Sequence, residues 1–358
     1  MTLARLDVDG FRCLEKVQLE LDPSYNLFVG PNASGKTSLL EAGFFLGRGR
    51  SFRTRRLDRL VRTHQESFRV VGRVRYEGVE TVLGVGGDRK STEIRIGGSP
   101  AASAALLSAH FAPQIIDPEI HKLLEEGPHR RRRVLDWGVF HVEPQLLEVW
   151  HRYHRALRQR NAALKPQTDP SAASVWDTEL MSAGERLDAL RRRYLERLAP
   201  TLSEFGQRLL GLPVSLAYQS GWLADMSLSE ALARSADRDR RYGLTHIGPH
   251  RADISVRVSG QLAKERVSRG QQKLLAAALT LAQLAVQEEV APGRGALLLD
   301  DPAAELDQQS LGRLLDLVSE LSVQLFVTAL RADLPGLGQP GAVFHVEQGR
   351  ITPAASGA

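Results

Sequence analysis

The chain has 358 residues, enough for about two domains with substantial cores. Aromatic residues at 6% and charged residues at 25% describe a soluble globular protein, and 47 Lys+Arg against 42 Asp+Glu permit a polyanionic partner without requiring one. The single cysteine, Cys13, excludes an internal disulfide framework and a zinc site built from cysteines; no apolar signal core or run of about 18 apolar residues occurs, so a cytoplasmic protein without a membrane span is expected.

Residues 3–9 and 15–21 alternate in polarity around a turn at Gly10, which predicts two antiparallel strands. Arg12 sits in that turn, either as a solvated charge or as a contact to nucleotide or partner. An apolar strand, Leu27-Phe28-Val29, then runs into Gly30-Pro31-Asn32-Ala33-Ser34-Gly35-Lys36-Thr37-Ser38 and an apolar helix from Leu39 to Leu46. Glycine, four residues, then Gly-Lys-Thr between a strand and a helix is the spacing of a phosphate-binding loop. Gly30 and Gly35 let the backbone turn tightly, so that amides of residues 32–37 can point at an oxygen-rich ligand, and the helix adds its positive N-terminal end. In such a loop Lys36 reaches the β- and γ-phosphates of a nucleotide and the Thr37 hydroxyl faces Mg²⁺.

From Arg48 to Arg62 seven arginines fall within fifteen residues. Arg50, Arg53, Arg55 and Arg56 are candidates for phosphate-backbone contact, as are Arg130, Arg131, Arg132 and Arg133 further on; the alternative for both runs is a solvated face. Residues 68–96 predict a small antiparallel sheet, and from about 115 to 240 the chain is helical and rich in charge. Leu146, Trp150, Tyr153, Leu157 and Leu164, then Trp176, Leu180, Ala183, Leu187, Leu190, Tyr194 and Leu198, carry heptad spacing on either side of Pro166 and Pro170. The spacing predicts a hairpin over about 141–199, about 35 Å long as an antiparallel coiled coil, or else two core helices of an ordinary helical domain.

After residue 243 strand and glycine signals return in HIGPHRADI (246–254) and ISVRV (254–258), followed by Val267-Ser268-Arg269-Gly270-Gln271-Gln272 and an alanine-rich helix, with Ser268 as a candidate N-cap. The run ALLLDD then predicts a strand buried on both faces with Asp300 and Asp301 at its carboxyl end, where ligands sit in an open α/β sheet. Asp300 suits holding Mg²⁺, and Asp301 suits orienting an attacking water or taking its proton. VQLFVT, ending in Thr328, reads as another buried strand, FHVEQGRI as a closing strand, and PAASGA as a loose tail.

A phosphate loop, a Ser-Gly-Gln motif and acids after a buried strand, with helices inserted between, resemble the ABC-type ATPase heads of transporters and SMC-like proteins. Within that class GPNASGKT, GRSFRT from residue 49, RRRRVLDWGVFH, HIGPHRADI, VSRGQQK and LLLDDPAAELD are similar, in order and spacing, to the RecF family of bacterial recombination mediators. The resemblance implies an α/β fold: an ABC-type, SMC-like P-loop ATPase head (1–113 and 243–358) with an inserted helical domain (114–242) containing a short antiparallel coiled coil. It also implies an ATP- and Mg²⁺-dependent homodimer that binds DNA and works with RecO and RecR to load RecA, releasing DNA on slow, DNA-stimulated hydrolysis. Ser268, Arg269, Gly270 and Gln271 match the signature motif, with arginine where glycine is usual, and that motif caps nucleotide in the other copy. Residues 305–307 match the D-loop with Asp307, Gln114 is a Q-loop candidate for metal, and Thr328 stands at the switch position. An ABC transporter subunit is the alternative, but it would carry histidine at 328.

Overall fold

The computed structural model describes residues 1–165, 172–304, 306–332, 334 and 336–354. In chain order, β1 (Thr2–Phe11), β2 (Leu14–Glu20) and β3 (Tyr25–Val29) lead to α1 (Lys36–Arg48). Strands β4 (Ser67–Tyr76), β5 (Val79–Asp88), β6 (Thr92–Ile96) and β7 (Ser99–Pro100) precede α2 (Ala104–His110) and β8 (Ala112–Ile116). Helices α3 (Lys122–Glu125), α4 (Pro128–Val142), α5 (Leu146–Ala163) and α6 (Asp177–Leu210) follow, then β9 (Val214–Gln219), α7 (Leu228–Tyr242), β10 (Asp253–Val258), β11 (Gln261–Leu262), α8 (Ala263–Arg266) and α9 (Arg269–Val290). The chain closes with β12 (Gly295–Asp300), α10 (Gln308–Ser319), β13 (Gln324–Ala329), β14 (Ala342–Glu347) and β15 (Arg350–Pro353).

These elements group into two compact units, Met1–Ile120 with the residues from Gln287 onward, and His121–Val286. The first holds two six-stranded sheets. One is antiparallel, in the order β2-β1-β4-β5-β6-β7; the other runs β15-β14-β3-β13-β12-β8, parallel except for β15. Every residue of β12 and β13 is buried, which is why these strands are continuous apolar runs rather than alternating ones. Leu39, Leu40, Phe44 and Phe45 of α1 join one apolar cluster with Leu3, Leu6 and Val70 of the first sheet and Leu298 and Phe326 of the second. Phe45 meets Phe11 and Phe68 with ring centroids 5.8 and 5.4 Å apart, so the helix behind the phosphate loop is locked by its own core face.

In the second unit α5 and α6 pack antiparallel: Gln145 meets Arg186, Arg152 meets Glu179 at 2.8 Å, and Arg160 meets Asp177 at 2.7 Å. Tyr153, Leu157, Leu180, Leu187, Leu190 and Tyr194 of the heptad positions are buried, Tyr194 accepting from Gln283 of α9 at 3.1 Å. The 18 residues of α5 span only about 27 Å, shorter than the predicted hairpin, whereas α6 continues through Pro200 to Leu210.

Residues 243–286, expected with the head, lie in this second unit, because β10 pairs with β9 from Asp253↔Gln219 to Val258↔Val214 in a sheet of order β11-β10-β9. Residues 114–120, expected with the helical domain, lie in the first unit, since β8 pairs with β12; Pro113 is tolerated there because β8 is an edge strand. The closing strand is a hairpin, with Gln348 and Gly349 at positive φ between β14 and β15. The hairpin tip with Pro166 and Pro170, Glu305 of the D-loop match and the tail from 355 lie outside the described residues, while Ala354 still donates to Val343 O at 2.8 Å.

Candidate nucleotide-binding site

The phosphate loop is pinned at both ends by backbone. Gly30 N–H donates to Ala329 O at the end of β13 (3.2 Å), and Gly349 N–H donates to Ser34 O (2.7 Å). A Cβ on Gly30 would lie 2.1 Å from Val346 O, and Gly35 takes φ 115°, so neither position accepts another residue without moving the loop. Ala33 also adopts a left-handed φ of 62°. Pro31, Asn32 and Ala33 are exposed on the outer curve; Ser34, Lys36 and Ser38 are buried. Lys36 Nζ donates to Gly30 O (2.7 Å) and Pro31 O (3.0 Å), holding its ammonium over the loop's own carbonyls at the N-terminus of α1.

Opposite the helix start stand the acids. Asp300, 6% exposed, accepts from the Thr37 hydroxyl at 2.9–3.0 Å and from the Thr328 hydroxyl at 2.9 Å. Burial raises its pKa and the negative charge of Asp301 adds to the rise; the hydroxyls of Thr328 and Thr37 and the charge of Arg53 pull the other way. Asp301 follows at a left-handed φ of 50°, its N–H donating to Thr328 Oγ1 at 2.9 Å. The sheet register explains the meeting: Asp300 lies beside Thr328 across β12 and β13, and Ala329 lies beside Val29 of β3, so three parallel strands deliver their carboxyl ends to one place.

Other predicted residues sit elsewhere. Gln114 is inside β8, opposite Leu297, three positions before the level of Asp300 and about 10 Å back along the strand. Asp307 caps α10, accepting from Ser310 N–H at 2.9 Å. Ser268 to Gln271 lie in the second unit, at the start of α9. There Gln271 N–H donates to Ser268 Oγ (3.4 Å) and Ser268 N–H to Gln271 Oε1 (3.0 Å), a reciprocal capping box that leaves Arg269 and Gly270 exposed.

Arg12, at φ 56°, forks onto the fully buried Glu41 of α1 at 2.7 and 2.9 Å and donates to Arg59 O at 2.9 Å. Glu41 also accepts from Ser51 (2.5 Å) and Arg53 (3.3 Å). Glu41 is the residue that sequence reading missed; a lone carboxylate inside the apolar helix run was the available signal. Of the arginine candidates, Arg56 pairs with Asp58 (2.6 Å) and Arg130 with Glu126 (2.7 Å). Arg131 forks onto Asp253 at 2.8 Å and Arg132 donates to Ala252 O at 2.7 Å, so these two brace β10 rather than face outward. Arg50 is half-buried; Arg55 and Arg133 are exposed.

A glycine-hinged loop, an ammonium and a helix N-terminus suit a polyphosphate. For Mg²⁺, Thr37 Oγ1 and the Asp300 carboxylate form a convergent pair of hard oxygen donors, and a cation would relieve the buried carboxylate; among the described residues no group of three or more His, Cys, Asp or Glu could hold a metal by itself. That fits an ion that takes one or two protein oxygens and fills its octahedron with phosphate and water, and that neutralises charge on the transferring phosphoryl group when bound.

The model of the RecF/RecN/SMC N-terminal domain matches residues 2–351. DNA replication and repair protein RecF of Pseudomonas aeruginosa strain LESB58 is 41% identical over 98% of this chain and 98% of its own length, and that of Pseudomonas putida strain F1 is 42% identical with the same coverage. Among solved structures, the recombination mediator RecF with ATP superposes with a TM-score of 0.88 at 29% identity, covering 99% of this chain and 98% of that one. An Smc head bound to the C-terminal winged-helix domain of ScpA superposes with a TM-score of 0.59 at 16% identity, a likeness of fold alone. The order of motifs, the two-unit fold and near-complete coverage by these relatives agree: the chain belongs to the RecF family, with the ABC-type ATPase fold it shares with SMC heads.

Proposed function

We propose that this protein is a cytoplasmic, ATP-dependent DNA-binding protein of recombinational repair, whose two copies close on ATP around DNA and part on slow, DNA-stimulated hydrolysis. The observation that carries the reading is the meeting of Lys36, Thr37, Asp300 and Asp301 at the carboxyl ends of three parallel strands. In this reading Lys36 leaves the carbonyls of Gly30 and Pro31 for the β- and γ-phosphates, Thr37 and Asp300 hold Mg²⁺, and Asp301 takes the proton of the attacking water. The water oxygen bonds to the γ-phosphorus as the bond to the ADP oxygen breaks, giving ADP and phosphate.

The capped N-terminus of α9, with Ser268 and Gly270 at its tip, suits capping of the γ-phosphate in the partner copy. Membership of the RecF family supports work with RecO and RecR to load RecA. Thr328 stands where transporter subunits carry histidine, and 98% of the chain aligns with RecF relatives, so the transporter alternative lacks support. The test is ATP hydrolysis with and without gapped DNA: wild type should turn over slowly and faster with DNA, and Lys36→Ala and Asp301→Asn should not. Equal turnover by all three would overturn the reading.

A further inference from the structure

We propose that Thr328 is the positioning residue of this site, its single hydroxyl fixing the side chain of Asp300 and the backbone of Asp301 at the same time. The inference rests on the ATPase reading above. Thr328 is fully buried in β13, and three polar atoms surround Oγ1: Asp300 Oδ1 at 2.9 Å, Asp301 N at 2.9 Å and Leu299 O at 3.4 Å.

A hydroxyl has one hydrogen and two lone pairs. Asp301 N–H can only donate, so Oγ1 accepts there and its own hydrogen goes to the nearer acceptor, Asp300 Oδ1. The first bond matters because Asp301 is held at φ 50°, a conformation that costs an L-residue and needs something to hold it. It turns the chain sharply off β12, and Asp301 O then accepts from Ala304 N–H at 3.0 Å to close the next turn. The second bond leaves the Asp300 carboxylate with a hydroxyl on either side, Thr37 from the phosphate loop and Thr328 from β13.

Thr328 thus acts through the two aspartates and not on phosphate, which differs from the switch role that its place in the sequence suggests. Any hydroxyl of the same reach would serve; a methyl in its place would keep the packing and lose both bonds.

The test compares Thr328→Val and Thr328→Ser with Asp301→Asn, reading the kcat of ATP hydrolysis and, separately, the Kd for ATP. Thr328→Val should lower kcat about 10- to 100-fold while Kd moves less than about threefold, since one bond orients a group used in the transition state. Thr328→Ser should restore kcat to within about threefold. Wild-type kcat in Thr328→Val, with Asp301→Asn inactive, would overturn the inference and leave the ATPase reading intact; an active Asp301→Asn would instead count against that reading. Loss of kcat and ATP affinity together in both Thr328 variants would also overturn it, since packing and not the hydroxyl would then be what counts. Should the valine variant fail to fold, Thr328→Ala against Thr328→Ser gives the same contrast.

Discussion

Lys36 and Glu41 are both charged, both buried and five residues apart on one helix, yet only one of them was readable as functional. Lys36 announces itself through a spacing that phosphate chemistry requires. Glu41 has no motif, and its role appears only when Arg12 and Arg53, distant in sequence, are seen to converge on it. Asp300 and Thr37 were legible in the same way, as an acid after a buried strand and as the hydroxyl of the loop spacing, whereas the bond by which Thr328 holds Asp300 was not. Lys36→Ala should weaken ATP binding on the order of 100-fold or more, measured by titration calorimetry, because it removes charge-assisted bonds worth roughly 1.5–3 kcal/mol each. Glu41→Ala should instead lower the melting temperature, since Arg12, 17% exposed at its side chain, Arg53 and Ser51 all lose the carboxylate they share; a loss of about 3–5 kcal/mol is expected.

At the level of elements, strands and helices with strong periodicity were legible, including the seam of α5 and α6. Strands without it were not: β8 and β9 are short, β8 contains a proline, and pairing partners decide which sheet they join. Pairing also decides the arginine run on α4, since Arg131 and Arg132 turn toward β10 and its approach. Arg131→Ala should leave the salt dependence of DNA binding unchanged but lower the melting temperature by roughly 5–10 °C. Replacement of the exposed Arg55 or Arg133 should instead flatten the slope of log K against log salt by about 0.9 per lost phosphate contact.

The helical unit also carries a pH dependence. His250 accepts from Tyr153 O–H at Nδ1 (2.6 Å) and faces Thr245 O through Nε2 (2.9 Å), and burial lowers its pKa to about 4, as it does for His154 beside Trp150. The folded state keeps both neutral where the unfolded chain takes up protons near 6.5. Stability is therefore full above that value and is lost as pH falls from 6.5 toward 4, by about 2 kcal/mol per histidine at pH 5. Melting curves at pH 7.5 and pH 5 should separate accordingly; coincident curves would mean that these rings are protonated in the folded state.

For the whole molecule, the proposed function divides nucleotide chemistry between the two units. The loop 30–38, Thr37, Asp300 and Asp301 belong to the first; the capped helix start at Ser268 belongs to the second. The proposed mechanism pairs the first unit of one copy with the second unit of another, so ATP is the adhesive and hydrolysis the release. The measurement that tests this most directly is molar mass by light scattering with and without Mg²⁺-ATP, on wild type, Asp301→Asn and Ser268→Arg. An ATP-dependent shift from monomer to dimer is expected, prolonged by Asp301→Asn and abolished by Ser268→Arg, which still binds ATP. A mass that ignores ATP, or a dimer that forms as well with Ser268→Arg, would contradict it.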